Sequence, residues 1–121
     1  MTTSYEADKW VVLKIVGTGV DESAPLGYTQ YRLLCASHSG YPFGWSWQLN
    51  SGIRQAIDIG KGFLFDGASG SQYYCPKDGY GLQMASLEGL RSLERNPLYE
   101  VQVLTKNVNW PAFEWKDDWR D

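Results

Sequence analysis

The chain is poor in the residues that site chemistry most often needs. It has one histidine, His38, and two cysteines, Cys35 and Cys75, in 121 residues. With a single imidazole, any general-base chemistry near neutral pH would run most naturally through His38. His38 lies in Ser37-His38-Ser39-Gly40, a loop sequence in which a solvated histidine is the commoner outcome. Cys35 stands three positions away, but no third group completes a nucleophile-base pair. The carboxylate pairs Asp21-Glu22 and Asp117-Asp118 fall in a loop and a tail, so no catalytic set assembles on paper and a non-enzyme is expected. No apolar run approaches the roughly 18 residues that a membrane-spanning helix requires. The opening MTTSYEADKW has no basic region leading into an apolar stretch, so it does not read as a secretory signal. The expectation is a cytoplasmic protein with reduced thiols. Eleven basic and 14 acidic residues give a net charge of −3. Phosphate neutralisation needs clustered Lys and Arg, so direct nucleic-acid binding is not expected, nor is the chain acidic enough to mimic DNA.

Charge is missing altogether from Gly40 to Ile53, GYPFGWSWQLNSGI. What stands there instead is aromatic: Tyr41, Phe43, Trp45 and Trp47. Trp45, Trp47 and Leu49 alternate with Gly44, Ser46 and Gln48, the period of a half-buried strand. Rings at this density either anchor a small β core or grip a partner.

Turn signals divide the rest into short segments. Strands are expected at Trp10 to Val16, Tyr28 to Ala36, Gly44 to Leu49, Ile53 to Ile59, GFLFDG, SQYYC and Leu98 to Leu104. Between the last two, Met84, Leu87, Leu90 and Leu93 recur at helical spacing over about Leu82 to Arg95, and Asn96-Pro97 ends the helix. The expected fold is α+β: a strongly bent antiparallel sheet or partly open barrel of six to seven short strands with one amphipathic helix. One domain spans 1–121, with a flexible N-terminus over 1–9, a mobile loop over 17–27 and an aromatic, acidic tail over 105–121. The expected core is Val11, Leu13, Ile15, Tyr31, Leu33, Trp47, Ile57, Phe63, Phe65, Leu87, Leu90 and Val101. No internal repeat is visible.

Three constellations compete as sites. Cys35, His38, Cys75 and Asp78 form two pairs with metal-like gaps, but structural zinc favours thiolate and imidazole over a carboxylate, and Cys35 is in phase with Tyr31 and Leu33. The buried-cysteine reading is preferred, with no metal and no cofactor expected. A nucleotide pocket would use Trp47 to stack on a base and Arg32, Arg54 or Lys61 to meet phosphate. The glycines of Gly60-Lys61-Gly62 and Gly67-Ala68-Ser69-Gly70-Ser71 do not lead into a helix, as phosphate-binding fingerprints require, and hairpins explain them more cheaply. The third constellation is a protein-binding surface of Tyr41, Phe43, Trp45, Trp115 and Trp119, with Asp117 and Asp118 as its charged rim. A short helix from Pro111 would stack Trp115 and Trp119 on one face. Folding of these rings back to cap the open end of the sheet is the alternative; a mixed outcome, with Trp110 packed on the core and Trp115 and Trp119 more exposed, is expected.

The succession YRLLCAS, GWSWQLNSGI, GFLFDGASGSQYYC and then a short helix resembles small proteins encoded by bacteriophages and prophages. The resemblance covers roughly residues 28–104 and rests on W-x-L-N-S-G-I and the Gly-Ser-x-Tyr segment. It carries no active site over. It implies a small anti-defence protein, of the anti-CRISPR kind, that binds and blocks a host protein or complex inside the host cell. Apart from the resemblance, the aromatic tail could also serve as a subunit contact in a homo-oligomer. The alternative is a small-molecule module that sequesters or cleaves a nucleotide signal.

Overall fold

A computed structural model describes residues 4–38 and 44–119. In chain order these residues form β1 (Ser4–Glu6), β2 (Lys9–Gly17), β3 (Thr29–His38), β4 (Trp45–Leu49), β5 (Ile53–Asp58), β6 (Gly62–Gly67), β7 (Gln72–Pro76), α1 (Met84–Glu94) and β8 (Tyr99–Val103). Single 3-10 turns occupy Lys77–Gly79 and Trp110–Ala112.

The apolar run WVVLKIV dictates the architecture, because it is apolar on both faces. Trp10 and Val12 point to one side of β2, and Val11, Leu13 and Ile15 to the other; all five are at most 3% exposed. A strand apolar on both faces has to be covered on both. The fold satisfies this with three layers: α1, a sheet ordered β4-β3-β2-β8, and a second sheet ordered β1-β7-β6-β5. Between helix and first sheet lie Val11, Leu13, Ile15, Leu34 and Leu90. Between the two sheets lie Trp10, Val12, Leu33, Cys35, Ile53, Phe65, Tyr73, Cys75 and Trp110. Trp10 is the hub of that second core. Its indole meets Phe63, Phe65, Tyr80 and Trp110 with centroids 4.7–6.1 Å away, and Nε1 donates to Pro76 O at 2.7 Å.

The expected single bent sheet or barrel is thus corrected to two open sheets, although the α+β class stands. The chain crosses from one sheet to the other at Asn50. This buried side chain accepts from Leu33 N–H at 2.8 Å and from Gly52 N–H at 3.2 Å, and donates to Gly52 O at 2.9 Å. It takes the place of a backbone partner for β3 just where β4 ends. Strand β1, inside the segment expected to be flexible, pairs in parallel with β7. Within residues 17–27, Gly19 N–H donates to Ala24 O at 2.9 Å and Gly27 N–H to Gly17 O at 3.0 Å.

Two expected core residues lie outside. Trp47 is 44% exposed and Ile57 45% exposed. For Ile57 the reason is a register shift between Ile53 and Gln55. An extra residue in a strand flips every following side chain to the other face. Ile53 and Ala56 therefore point inward and Ile57 outward. Tyr31, Phe63, Leu87 and Val101 are partly buried against the two cores, as expected of them. Met84 opens α1 at 84% exposure, so it does not belong to the apolar stripe assigned to it. The helix is started by Gln83, whose side chain accepts from Ala85 N–H at 2.6 Å while Ser86 Oγ accepts from Gln83 N–H at 2.9 Å. Among the described residues no helix is long and apolar enough to cross a membrane.

Candidate functional site

The fold brings together only part of each expected constellation. Cys35 and Cys75 are neighbours in the core between the sheets, both buried and free. Burial pushes the Cys75 thiol far above its ordinary range, and the Cys35 thiol beside it adds to the effect. A thiol held protonated is a poor nucleophile. His38 and Asp78 are exposed, and no cluster of three potential ligands occurs among the described residues. The two cysteines of the metal constellation are thus core residues, while its other two members lie at the surface.

The nucleotide constellation is spread over three places. Arg32 lies on β3 opposite Leu13, and its Nε is buried without a hydrogen-bond partner among the described residues. Trp47 lies on β4, in the same sheet, with its ring over Gly89 of α1. Arg54 is the second residue of β5 and Lys61 sits in the hairpin beyond the other end of that strand, about 20 Å along extended chain. A polar recess of about 500 Å³ beside Arg54 is lined by Gln55, Asp66 and Gln72. These three satisfy one another, with Gln55 Nε2 and Gln72 Nε2 donating to Asp66 at 2.5 and 3.2 Å.

The protein-binding constellation also divides. Tyr41 and Phe43 lie outside the described residues. Trp45 sits at the far end of β3, its ring edge-on to His38 at 5.5 Å. The tail residues are at the other end. Asp118 accepts from Thr29 N–H at 2.8 Å and donates its own N–H to Thr29 O at 3.0 Å, as a paired strand residue would. Thr29 and His38 bound a ten-residue strand, so Trp45 and Asp118 are about 30 Å apart. Asp117 accepts from Gln30 Nε2 at 3.0 Å. Trp119 donates Nε1 to Ser23 O at 2.9 Å and rests on Tyr28 and Tyr99. Trp115 stacks on Trp110 at 6.0 Å and meets Phe65 and Tyr31. The two residues are not on one helix face: only Trp110–Ala112 is helical, and the chain beyond lies along the sheet. The acids expected as a rim bind the tail to β3.

A second recess among the described residues also keeps both shape and access. The sheets diverge between their edge strands β1 and β4, leaving a cleft of about 340 Å³. Its floor is Cys35 and Ser37 of β3 with Ser46 and Gln48 of β4, and its wall is Ser4, Tyr5, Glu6 and Ala7. The wall is fixed by Tyr5 stacked on Tyr73 at 5.1 Å and by Ser37 Oγ donating to Glu6 O at 2.7 Å. Among the described residues, strand β4 borders this cleft as the free edge of its sheet. Asn50 N–H donates to Leu33 O, which aligns the even positions of β4 with β3. By the alternation of an antiparallel ladder, the N–H and C=O groups of Trp45, Trp47 and Leu49 point away from β3.

Edges are normally blunted by charge, brevity or a bulge. Strand β1 is three residues long and ends in Glu6, β5 carries Arg54, Asp58 and the register shift, and β8 carries Glu100. Strand β4, WSWQL, has none of these. Sequence reasoning singled out its rings but not its edge position, since strand order is not written in a local pattern. No protein-family model, curated protein or solved structure matches this chain.

Proposed function

We propose that this chain is a non-enzymatic binding protein that acts by protein–protein contact, with β4 and the adjoining cleft as its contact surface. The observation that carries this reading is the uncharged free edge of β4, with Trp47 44% exposed, beside a preformed cleft. An added strand gains affinity from main-chain hydrogen bonds and specificity from pockets that receive alternate side chains. Here the cleft floor of Cys35, Ser37, Ser46 and Gln48 would receive them. The resemblance to phage-encoded proteins gives the reading its biological form, an inhibitor of a bacterial defence complex, of the anti-CRISPR kind, working in the host cytoplasm.

The test is capture from bacterial lysate by the intact protein and by Trp47→Ala. A stoichiometric partner held by the first and lost by the second is the expected result. Capture that survives Trp47→Ala but fails in Trp119→Ala would move the contact to the tail. A nucleotide that stabilises the protein by about 2.7 kcal/mol at 100 times its dissociation constant would replace this reading with the small-molecule one.

A further inference from the structure

The polarity of β4 reads the same from either end. Its five residues are Trp45, Ser46, Trp47, Gln48 and Leu49: apolar, polar, apolar, polar, apolar. Place a second β4 antiparallel to the first and centre the pair on Trp47. Trp47 then faces its counterpart, Trp45 faces Leu49, and Ser46 faces Gln48. Every apolar side chain meets an apolar one and every polar side chain a polar one. No like charges are opposed, because the strand has no charge. The backbone agrees with the side chains. Trp45, Trp47 and Leu49 are the positions whose N–H and C=O groups face outward, and in this register each meets another outward-facing position. Narrow, doubly hydrogen-bonded pairs follow at all three. Centring on Ser46 or Gln48 overlaps only part of the strand, and registers that pair odd with even positions cannot form the bonds at all.

From this we infer that a second copy of this chain is the occupant β4 fits, joined about a two-fold axis through Trp47 so that two four-stranded sheets continue as one. Such an interface is isologous, the same patch serving both copies, which is the commonest way a soluble protein pairs with itself. The inference rests on the reading of β4 as the contact edge and names one partner for it. Any other strand that adds to β4 competes with the second copy.

Sedimentation of the purified protein from micromolar to sub-millimolar concentrations tests the pairing with no lysate present. A dimer is expected. Ser46 and Gln48 supply the discriminating variants, because their side chains lie on the cleft face while their N–H groups point to β3. Ser46→Lys with Gln48→Lys opposes like charges twice across the axis, and directly opposed like charges destabilise a strand pair. Dimerisation weakens by about tenfold. Ser46→Lys with Gln48→Glu opposes unlike charges instead and restores it. A dimer indifferent to both pairs of substitutions overturns the inference. A second readout needs no substitution: the Trp47 amide gains protection from hydrogen exchange as concentration rises. An amide that exchanges equally at every concentration, in a chain that stays monomeric, overturns the inference too. If that monomer still loses its captured partner in Trp47→Ala, self-pairing fails while the edge reading stands. If capture ignores the edge as well, both fall.

Discussion

The chain has two aromatic-rich segments that look alike on paper and behave oppositely in the fold. In the tail, Trp110, Phe113, Trp115 and Trp119 are mixed with charges, which suggests a solvated surface. Yet Trp110 is 1% exposed, and the acids around Trp119 are spent on hydrogen bonds to Thr29 and Gln30. In β4, Trp45 and Trp47 stand in an uncharged strand with a core-like alternation. Yet Trp47 is 44% exposed, because its strand ends the sheet and α1 touches only part of the ring. Charge near a ring says little about burial when the charged groups have backbone partners to meet. What decides is whether a second layer covers the position.

The largest effect expected from this contrast is on stability. Trp110→Ala removes a ring packed against Trp10, Phe65, Tyr80 and Trp115 and should cost about 3–5 kcal/mol. Trp47→Ala strips a half-exposed ring and should cost no more than about 1.5 kcal/mol. Chemical denaturation of both measures the contrast. Equal losses would mean that β4 is as structural as the tail, which would break the comparison.

A smaller effect sharpens it. Glycine inside a helix is destabilising by roughly 0.5–1 kcal/mol relative to alanine. Gly89 is an exception built by the edge: a Cβ there would stand 2.8 Å from Cε3 of Trp47, well inside contact distance. Gly89→Ala should therefore destabilise the intact protein, since the indole has to shift. In the Trp47→Ala background the same substitution should stabilise, by about 0.5–1 kcal/mol. The reversal of sign is the signature of the ring on the helix. The same sign in both backgrounds would place the ring elsewhere.

The smallest effect near neutrality is that of pH, and it grows only in alkali. Burial raises the hydroxyls of Tyr31, beside the tail, Tyr73, behind the cleft, and Tyr80 above their ordinary range. A raised acid binds its proton more tightly in the folded chain, so its contribution is complete below the unfolded value of about 10 and is lost as pH rises through the folded value. Melting temperature should be insensitive to these groups below that pH and fall above it. In Tyr80→Phe the alkaline fall should shrink. The cost is elsewhere, because Tyr80 Oη donates to Leu104 O at 2.5 Å and accepts from Val12 N–H at 3.2 Å. An alkaline fall unchanged in Tyr80→Phe, Tyr31→Phe and Tyr73→Phe would refute the assignment.

Local pattern carried much of the fold. Seven of the strands and the helix follow from alternation, turn tripeptides and the apolar stripe, because these signals concern neighbours in sequence. Strand β1 escaped, since Ser4-Tyr5-Glu6 is exposed and held by pairing with β7 rather than by an apolar face. Ile57 was misplaced because an alternating pattern cannot reveal the one-residue slip that precedes it. Candidate sites fared worse. Trp45 and the tail acids belong to one list on paper and to opposite ends of β3 in space.

By itself, then, the sequence determined the segments: which stretches are strand, where the helix runs, that Val11, Leu13 and Ile15 of β2 share a buried face, and that β4 is aromatic and uncharged. Only the tertiary structure decided the order of strands, and with it that β4 is an edge, that Cys35 lies beside Cys75, and that the acidic tail is bound to Thr29. The physical reason is range. Propensity, turns and alternation act over a few residues, whereas an edge, a cleft and a buried pair are made by segments far apart in the chain that only packing brings together.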